Sequence, residues 1–177
     1  SPIPAGYHWS TVDMQIIMHD SIFAVKDRRR KAQARLEDGH ACYGFLDPAG
    51  AVAYYMWVTT AHGSLRLVPW ELNTQLIIKP RTTYFWDCFT APDHRRRGLY
   101  RAGLRTARNI ATEHGAEKGY ISCRKENIPS VDAIHSSGFH DLFEFTLRRI
   151  GPLVVCKCST SALSIKLGRP KFNILGG

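Results

Sequence analysis

The stretch "CFTAPDHRRRGLYRAGLRTARNIA", residues 88–111, decides how this chain is read. An apolar run ends at Pro92. Five residues of Asp, His and Arg follow, and Gly98 opens a segment with helical periodicity. At about 100° per residue, Leu99, Ala102, Gly103, Ala107 and Ile110 share one side and Arg101, Arg105 and Arg108 another. Gly115 is a natural stop. A strand that turns directly into a helix aims unpaired main-chain N–H groups, and a partial positive charge, at whatever sits before it. With glycine at the turn and arginines around it, the expected occupant is a phosphate-bearing anion. The corner lacks the GK[ST] of a P-loop and the GxGxxG of a dinucleotide fold.

Working outward, residues 1–8 are too rich in Pro and Gly for a regular element. Ser10-Thr11-Val12-Asp13 is expected to cap a helical region that runs to Gly39 as one helix or two. Met14, Ile17, Met18, Ile22 and Val25 fall at helical spacing there. Arg28–Lys31 reads as a solvated face, the alternative being contact with a ligand. Ala41–Leu46 and Ala51–Thr60 read as a hairpin around the turn Asp47-Pro48-Ala49-Gly50. Residues 61–80 form a long irregular connection, a candidate functional loop. Arg81–Thr90 is a strand, 98–114 a helix, 116–125 a strand and 126–138 a short helix with Asn127 as its cap or Pro129 near its first turn. Phe139–Ile150 and Leu153–Cys158 are two more strands, and 159–177 are left unassigned. This order is a mixed α/β domain with one parallel crossover, from strand 81–90 through the helix to the next strand.

The 177 residues suffice for one domain with a proper core, and 44% are apolar. No apolar run approaches the length needed to cross a bilayer and no signal pattern opens the chain, so a cytoplasmic protein without membrane attachment is expected. The net charge of +9 suits an anionic partner. Of the five cysteines, Cys42, Cys88 and Cys123 lie in apolar runs and read as small buried hydrophobes. Cys156 and Cys158 alternate on a strand. His135 and His140 lie in different elements and no ligand cluster accompanies them, so no metal is expected.

The corner resembles the acetyl-coenzyme A signature of the GNAT superfamily of N-acyltransferases, [Q/R]-x-x-G-x-[G/A]. Here it reads Arg95-Arg96-Arg97-Gly98-Leu99-Tyr100, preceded by Phe89-Thr90-Ala91-Pro92. Asn127-Ile128-Pro129-Ser130, followed by Gly138-Phe139, is similar to a second family pattern. The resemblance covers about residues 10–158, and it departs at Tyr100, where the family has Gly or Ala. It implies a GNAT-like single domain over 1–158, followed by a C-terminal tail, 159–177. The domain would hold a central mixed, mostly antiparallel sheet flanked by helices, with two splayed parallel strands, 84–90 and 118–124, forming the acyl-CoA cleft. The opening strand of such a fold is expected within residues 1–8 or ahead of them.

By the same resemblance, acetyl-CoA or another acyl-CoA is the cosubstrate. The main chain of Arg95, Arg96, Arg97, Gly98, Leu99 and Tyr100 holds its diphosphate. Cys88, Phe89 and Thr90 pair with the pantetheine arm beside a β-bulge, and Asn127 and Ser130 line the arm or the adenosine. Relatives often carry a Glu at the position of Trp86. The adjacent Asp87 becomes the candidate base or substrate anchor if a bulge turns it inward. A family Tyr acid corresponds to Ile134, which leaves His135 as a candidate proton carrier, with His62 and Glu71 further candidates. Apart from the resemblance, Trp57, Trp70 and Trp86, with Tyr54, Tyr55 and Tyr84, read as an aromatic acceptor pocket, the alternative being core and hairpin packing.

The expected function is transfer of an acetyl or other acyl group from acyl-CoA to the amine of a small-molecule acceptor. An acidic acyl carrier protein as donor and a homodimer are among the expected partners. The alternatives are a non-catalytic acyl-CoA-binding or regulatory module and, on the basic clusters alone, a nucleic-acid binder. The latter is disfavoured because no reader motif is present.

Overall fold

The computed structural model describes residues 3–60, 63–65, 75–78, 80–142, 144–150, 153–158, 161–167 and 171–173. They fall into two compact units, one formed by 1–60 with 81–139 and the other by 61–80 with 140–177.

The first unit opens with β1 (His8–Thr11), then α1 (Met14–His19), a 3-10 turn (Ser21–Phe23) and α2 (Lys26–Glu37). The opening strand was hard to read because it is only four mixed residues, HWST, directly ahead of the helix cap. That cap is Asp13 alone, whose carboxylate accepts from Ile16 N–H at 2.9 Å. Asp20 breaks the helical region in two. It ends α1, accepts from Ile22 N–H at 2.8 Å, and accepts from Val52 N–H at 2.7 Å. Of the apolar set expected to face the core, Ile17 and Ile22 do, whereas Met14 and Met18 of α1 are exposed, and so is Val25, which lies beyond the break.

β2 (Ala41–Leu46) and β3 (Val52–Thr60) form the expected hairpin, its turn held by Asp47, which accepts from Ala49 and Ala51 N–H at 2.9 Å each. β4 (Gly63–Leu65) and β5 (Gln75–Ile78) come next, followed by β6 (Thr82–Thr90), α3 (Leu99–Glu113), β7 (Lys118–Ile121) and α4 (Ile128–Ser136). The sheet order is β1-β2-β3-β6-β7, antiparallel except for the parallel β6–β7 pair, as the crossover requires. One core cluster packs Phe45, Tyr54, Met56 and Phe85 against α3 and α4. The other packs Cys42, Tyr55 and Trp57 with Ile17 and Phe23 of the α1 side and Ala32 of α2.

Gly103 lets α3 lie directly on the Tyr54 ring, where an added Cβ would collide with ring carbons. Alanine gains about 1 kcal/mol of helix propensity. Against a fully buried ring the overpacking term, about 1–3 kcal/mol, is larger. Gly103→Ala is therefore expected to lower stability by about 1 kcal/mol or more in urea unfolding. An increase would show that the ring yields.

In the second unit β8 (Phe145–Ile150), β9 (Leu153–Cys158) and β10 (Ser161–Leu167) form an antiparallel sheet in the order β10-β9-β8. β11 (Lys171–Asn173) runs parallel to β5, and β5 is antiparallel to β4. Residues left unassigned in the sequence therefore contribute two strands, and the connection expected to be irregular contributes two more. His62, Trp70 and Glu71 lie outside the described residues.

Candidate active site

Three features converge around the C-terminal half of β6. The first is a splay. β6 pairs with β7 from Thr82↔Lys118 to Phe85↔Ile121, and there the pairing ends, while β6 continues to Thr90. Beyond Phe85 the β7-facing main-chain edge of β6 is left without strand pairing. At the mouth of the splay, Tyr84 and Ser122 hydroxyls meet at 2.6 Å.

The second feature is a bulge. Tyr55 pairs with Phe89 but Trp57 pairs with Trp86, so Met56 opposes two residues, Asp87 and Cys88. Asp87 takes φ +44°, in the left-handed region that Asp tolerates better than most residues. The extra residue cancels the alternation, so Trp86 and Asp87 both meet Arg35 of α2. Arg35 ion-pairs with the Asp87 carboxylate and stacks its guanidinium 4.4 Å from the Trp86 ring and 5.1 Å from Trp57. Thus the bulge turns Asp87 toward the α2 side, the condition on which its candidacy depended.

The third feature is the basic corner. Arg96 and Gly98 both have positive φ, +62° and +77°, within three residues of the start of α3. Such left-handed residues beside a helix start turn successive N–H groups into one concavity. Among the described residues, none accepts from the main-chain N–H groups of Arg96 to Arg101, the first internal bond being Ala102 N–H to Gly98 at 3.0 Å. The corner is strapped from outside. Arg97 donates to Tyr7 Oη at 3.1 Å, Tyr7 Oη meets His94 Nδ1 at 2.8 Å, and Arg95 Nε donates to Thr90 O at 3.3 Å. Leu99 is buried in the core; Arg95, Arg96 and Arg97 are exposed.

Between corner and bulge lies a cluster of hydroxyls and a thiol. The Tyr100 hydroxyl lies near Ser130 and Cys88, at the first turns of α3 and α4. Tyr54 Oη is fully buried beside Cys88 and has no well-formed hydrogen bond among the described residues. Burial pushes the Cys88 thiol up to about 12 and raises both tyrosines above their ordinary range, so all three hold their protons at neutral pH. Tyr100 thus fills the space that a Gly or Ala would leave open in the signature.

Several expected residues are placed otherwise. Trp57 is fully buried and backs Trp86 rather than lining a pocket, since β3 is the central strand. His135 is exposed on α4, across the sheet from Asp87, because α4 packs on the Tyr54 side of the sheet. Asn127 stands at the α4 start with no side-chain cap; its exposed amide leaves capping to the main chain, which accepts from Ser130 and Val131 N–H at 3.0 Å each. Cys123 is exposed just past β7 rather than buried. The Arg28–Lys31 run is not simply a solvated face, for Arg28 stacks 4.3 Å over Phe89 and donates to Ile22 O at 2.6 Å. Of the arginine stripe on α3, Arg105 and Arg108 donate to Ser136 O and Ser137 O at 2.6 and 2.8 Å, neutralising the C-terminus of α4.

Sequence reasoning missed Arg35, His40 and Thr59. A signal existed for the first: Arg28, Ala32 and Arg35 fall at i, i+4 and i+7, a core-facing stripe in which arginine stems replace apolar side chains. Trp86 Nε1 donates to Thr59 Oγ1 at 3.0 Å, and Thr59 Oγ1 meets His40 Nδ1 at 3.1 Å. His40 is held below its ordinary value of 6.5, chiefly by burial. A depressed folded-state value means stability present at neutral pH and lost as pH falls below 6.5. The thermal midpoint of the wild type should therefore drop more between pH 7.5 and about 5.5 than that of His40→Gln. Parallel melting curves for the two would exclude His40 as the source.

A strand pair that splays, a bulge at the splay and a helix N-terminus beyond it define an acyltransferase fold. Residues 7–139 match the acetyltransferase (GNAT) family model, and the chain belongs to that family. Solved structures share the fold. An aminoglycoside N-acetyltransferase AAC(6')-Iy in complex with CoA superposes with a TM-score of 0.60 at 14% identity, covering 81% of this chain and 98% of that one. An aminoglycoside acetyltransferase from an uncultured soil metagenomic sample, in complex with sisomicin, gives 0.52 at 13% identity, covering 83% and 100%. Glucosamine-6-phosphate N-acetyltransferase from Arabidopsis thaliana gives 0.51 at 12% identity, covering 82% and 98%. Among curated protein sequences none is significantly similar to this chain. No helix among the described residues is long and apolar enough to cross a membrane.

Proposed function

We propose that this protein is an N-acyltransferase that moves an acetyl or other acyl group from acyl-CoA to the amine of a small-molecule acceptor. The observation that carries the reading is the alignment along one path of the unpaired β6 edge and the open amides of Arg96–Arg101. A coenzyme A diphosphate would accept from those amides, with Arg95–Arg97 supplying charge. The pantetheine arm would run along Cys88–Thr90 as an added strand, past Ser130 and Asn127. The thioester would then lie at the bulge, beside Asp87.

The acceptor would approach from the α2 side, where Asp87, Trp86 and Arg35 stand, because the other side is closed by Leu99, Tyr54 and Phe85. An acceptor ammonium gives one proton to Asp87, directly or through water, and so to solvent. The amine nitrogen attacks the thioester carbonyl, main-chain N–H groups at the bulge receive the oxyanion, and the C–S bond breaks. The second amine proton ends on the departing thiolate. Tyr100, whose hydroxyl sits at Cys88, is the candidate carrier for it. The products are the amide, CoA thiol and one released proton.

Calorimetry with coenzyme A, followed by thiol release from acetyl-CoA with pooled amines, tests the reading. Saturable CoA binding and amine-dependent thiol release are expected. Tight binding with no release from any pool would leave a binding module instead.

A further inference from the structure

Arg35 and Asp87 are more than a neutralised pair. Arg35 is only 20% exposed and lies against Trp86 and Trp57, yet it makes a single hydrogen bond, from Nη1 to Asp87 Oδ2. Its remaining guanidinium N–H groups have no acceptor among the described residues. A fork of donors that is mostly unused, on a side chain largely covered by Trp86 and Trp57 but with its tip open to solvent, matches a planar oxyanion held by two bonds. Asp87, 43% exposed, keeps its second oxygen open.

The charges around the bulge point the same way. Facing it from α2 are two guanidinium groups, Arg28 over Phe89 and Arg35 over Trp86. From β6 there is one carboxylate, Asp87, and at the head of β2 there is His40, held neutral at physiological pH. A bare amine would add a third cation to two cations and one anion. An amine that brings its own anionic group supplies the fork with a partner and leaves Asp87 to the ammonium, so ligand and pair together are neutral while Arg28 stays on the Phe89 ring. Because Arg35 and Asp87 are in direct contact, the two ligand groups must be only two or three bonds apart.

We propose that the acceptor is an amino acid, its carboxylate on the open fork of Arg35 and its ammonium on Asp87. This rests on the acyl-transfer reading and names its substrate class. The test is calorimetry on the full chain with coenzyme A present, titrating each common L-amino acid and β-alanine, and then the carboxamide of each one that binds. At least one acid is expected to bind about ten-fold tighter than its carboxamide, as a charge-assisted bidentate contact requires. Arg35→Gln should bring the two within about two-fold of each other while CoA affinity stays at the wild-type value. Arg35→Lys, which keeps the charge and loses the fork, should retain part of the preference and stands in if Arg35→Gln does not fold.

Equal binding of acid and carboxamide by the wild type, or no binding of any amino acid, overturns the inference. CoA alone is titrated in the same series. If it fails to bind, the acyl-transfer reading falls, and the acid-against-carboxamide comparison without CoA still decides the acceptor site.

Discussion

Gly98→Glu is expected to abolish coenzyme A binding while leaving the fold intact. Gly98 has φ +77°, and an added Cβ would meet no neighbour within 4 Å, so the core is not disturbed. The loss has two sources. A residue with a side chain strains in the left-handed region by about 1–2 kcal/mol and pulls the neighbouring amides away from their concavity. The new carboxylate then projects where the diphosphate would sit. Hydrogen bonds to a charged group are worth about 1.5–3 kcal/mol each, so losing two of them weakens binding by about a hundred-fold or more. Gly98→Ala separates the sources, because it keeps the strain and lacks the charge; its loss should stay near ten-fold, the equivalent of about 1.4 kcal/mol. Calorimetry on both variants checks this, and wild-type affinity in Gly98→Glu would move the diphosphate elsewhere.

Asp87→Asn should reduce turnover by about 10²–10⁴-fold, the usual weight of a positioned base, and spare coenzyme A binding. The substitution is nearly isosteric, and asparagine tolerates the left-handed φ of +44° that the bulge demands. Its amide oxygen still accepts from Arg35, so α2 stays docked. What disappears is the charge that receives the acceptor's ammonium. The variant should bind CoA like the wild type, and its thiol-release rate should be indistinguishable from Asp87→Ala. Unchanged turnover would remove Asp87 from the mechanism.

The frame of the molecule was legible because its signals are local. Gly98 after three arginines, the continuous apolar run of β3 and the apolar side of α3 each state their structure within a few residues. The corner is legible for the same reason, as its donors belong to consecutive main-chain positions. The acceptor side was not legible. Arg35 meets Asp87 across 52 positions of sequence, and only the insertion of one residue opposite Met56 turns Asp87 toward it. A bulge leaves no mark in composition, so the sequence could state the condition but not whether it was met. Trp57 was mistaken for a wall of the pocket because an aromatic residue reads alike on a central or an edge strand. Arg35 drew no notice because a helix that packs through arginine stems has no apolar stripe. Tyr100 broke the family signature and so looked like a defect, yet its ring packs 6.1 Å from Tyr54 and its hydroxyl joins the cluster at Cys88.

A crystal structure of the full chain with coenzyme A measures the central claim most directly. The diphosphate oxygens should lie within hydrogen-bonding distance of the main-chain N–H groups between Arg96 and Arg101, with the pantetheine arm beside Cys88–Thr90. A bound coenzyme A whose diphosphate lies away from that turn, with its amides still facing water, would contradict the account.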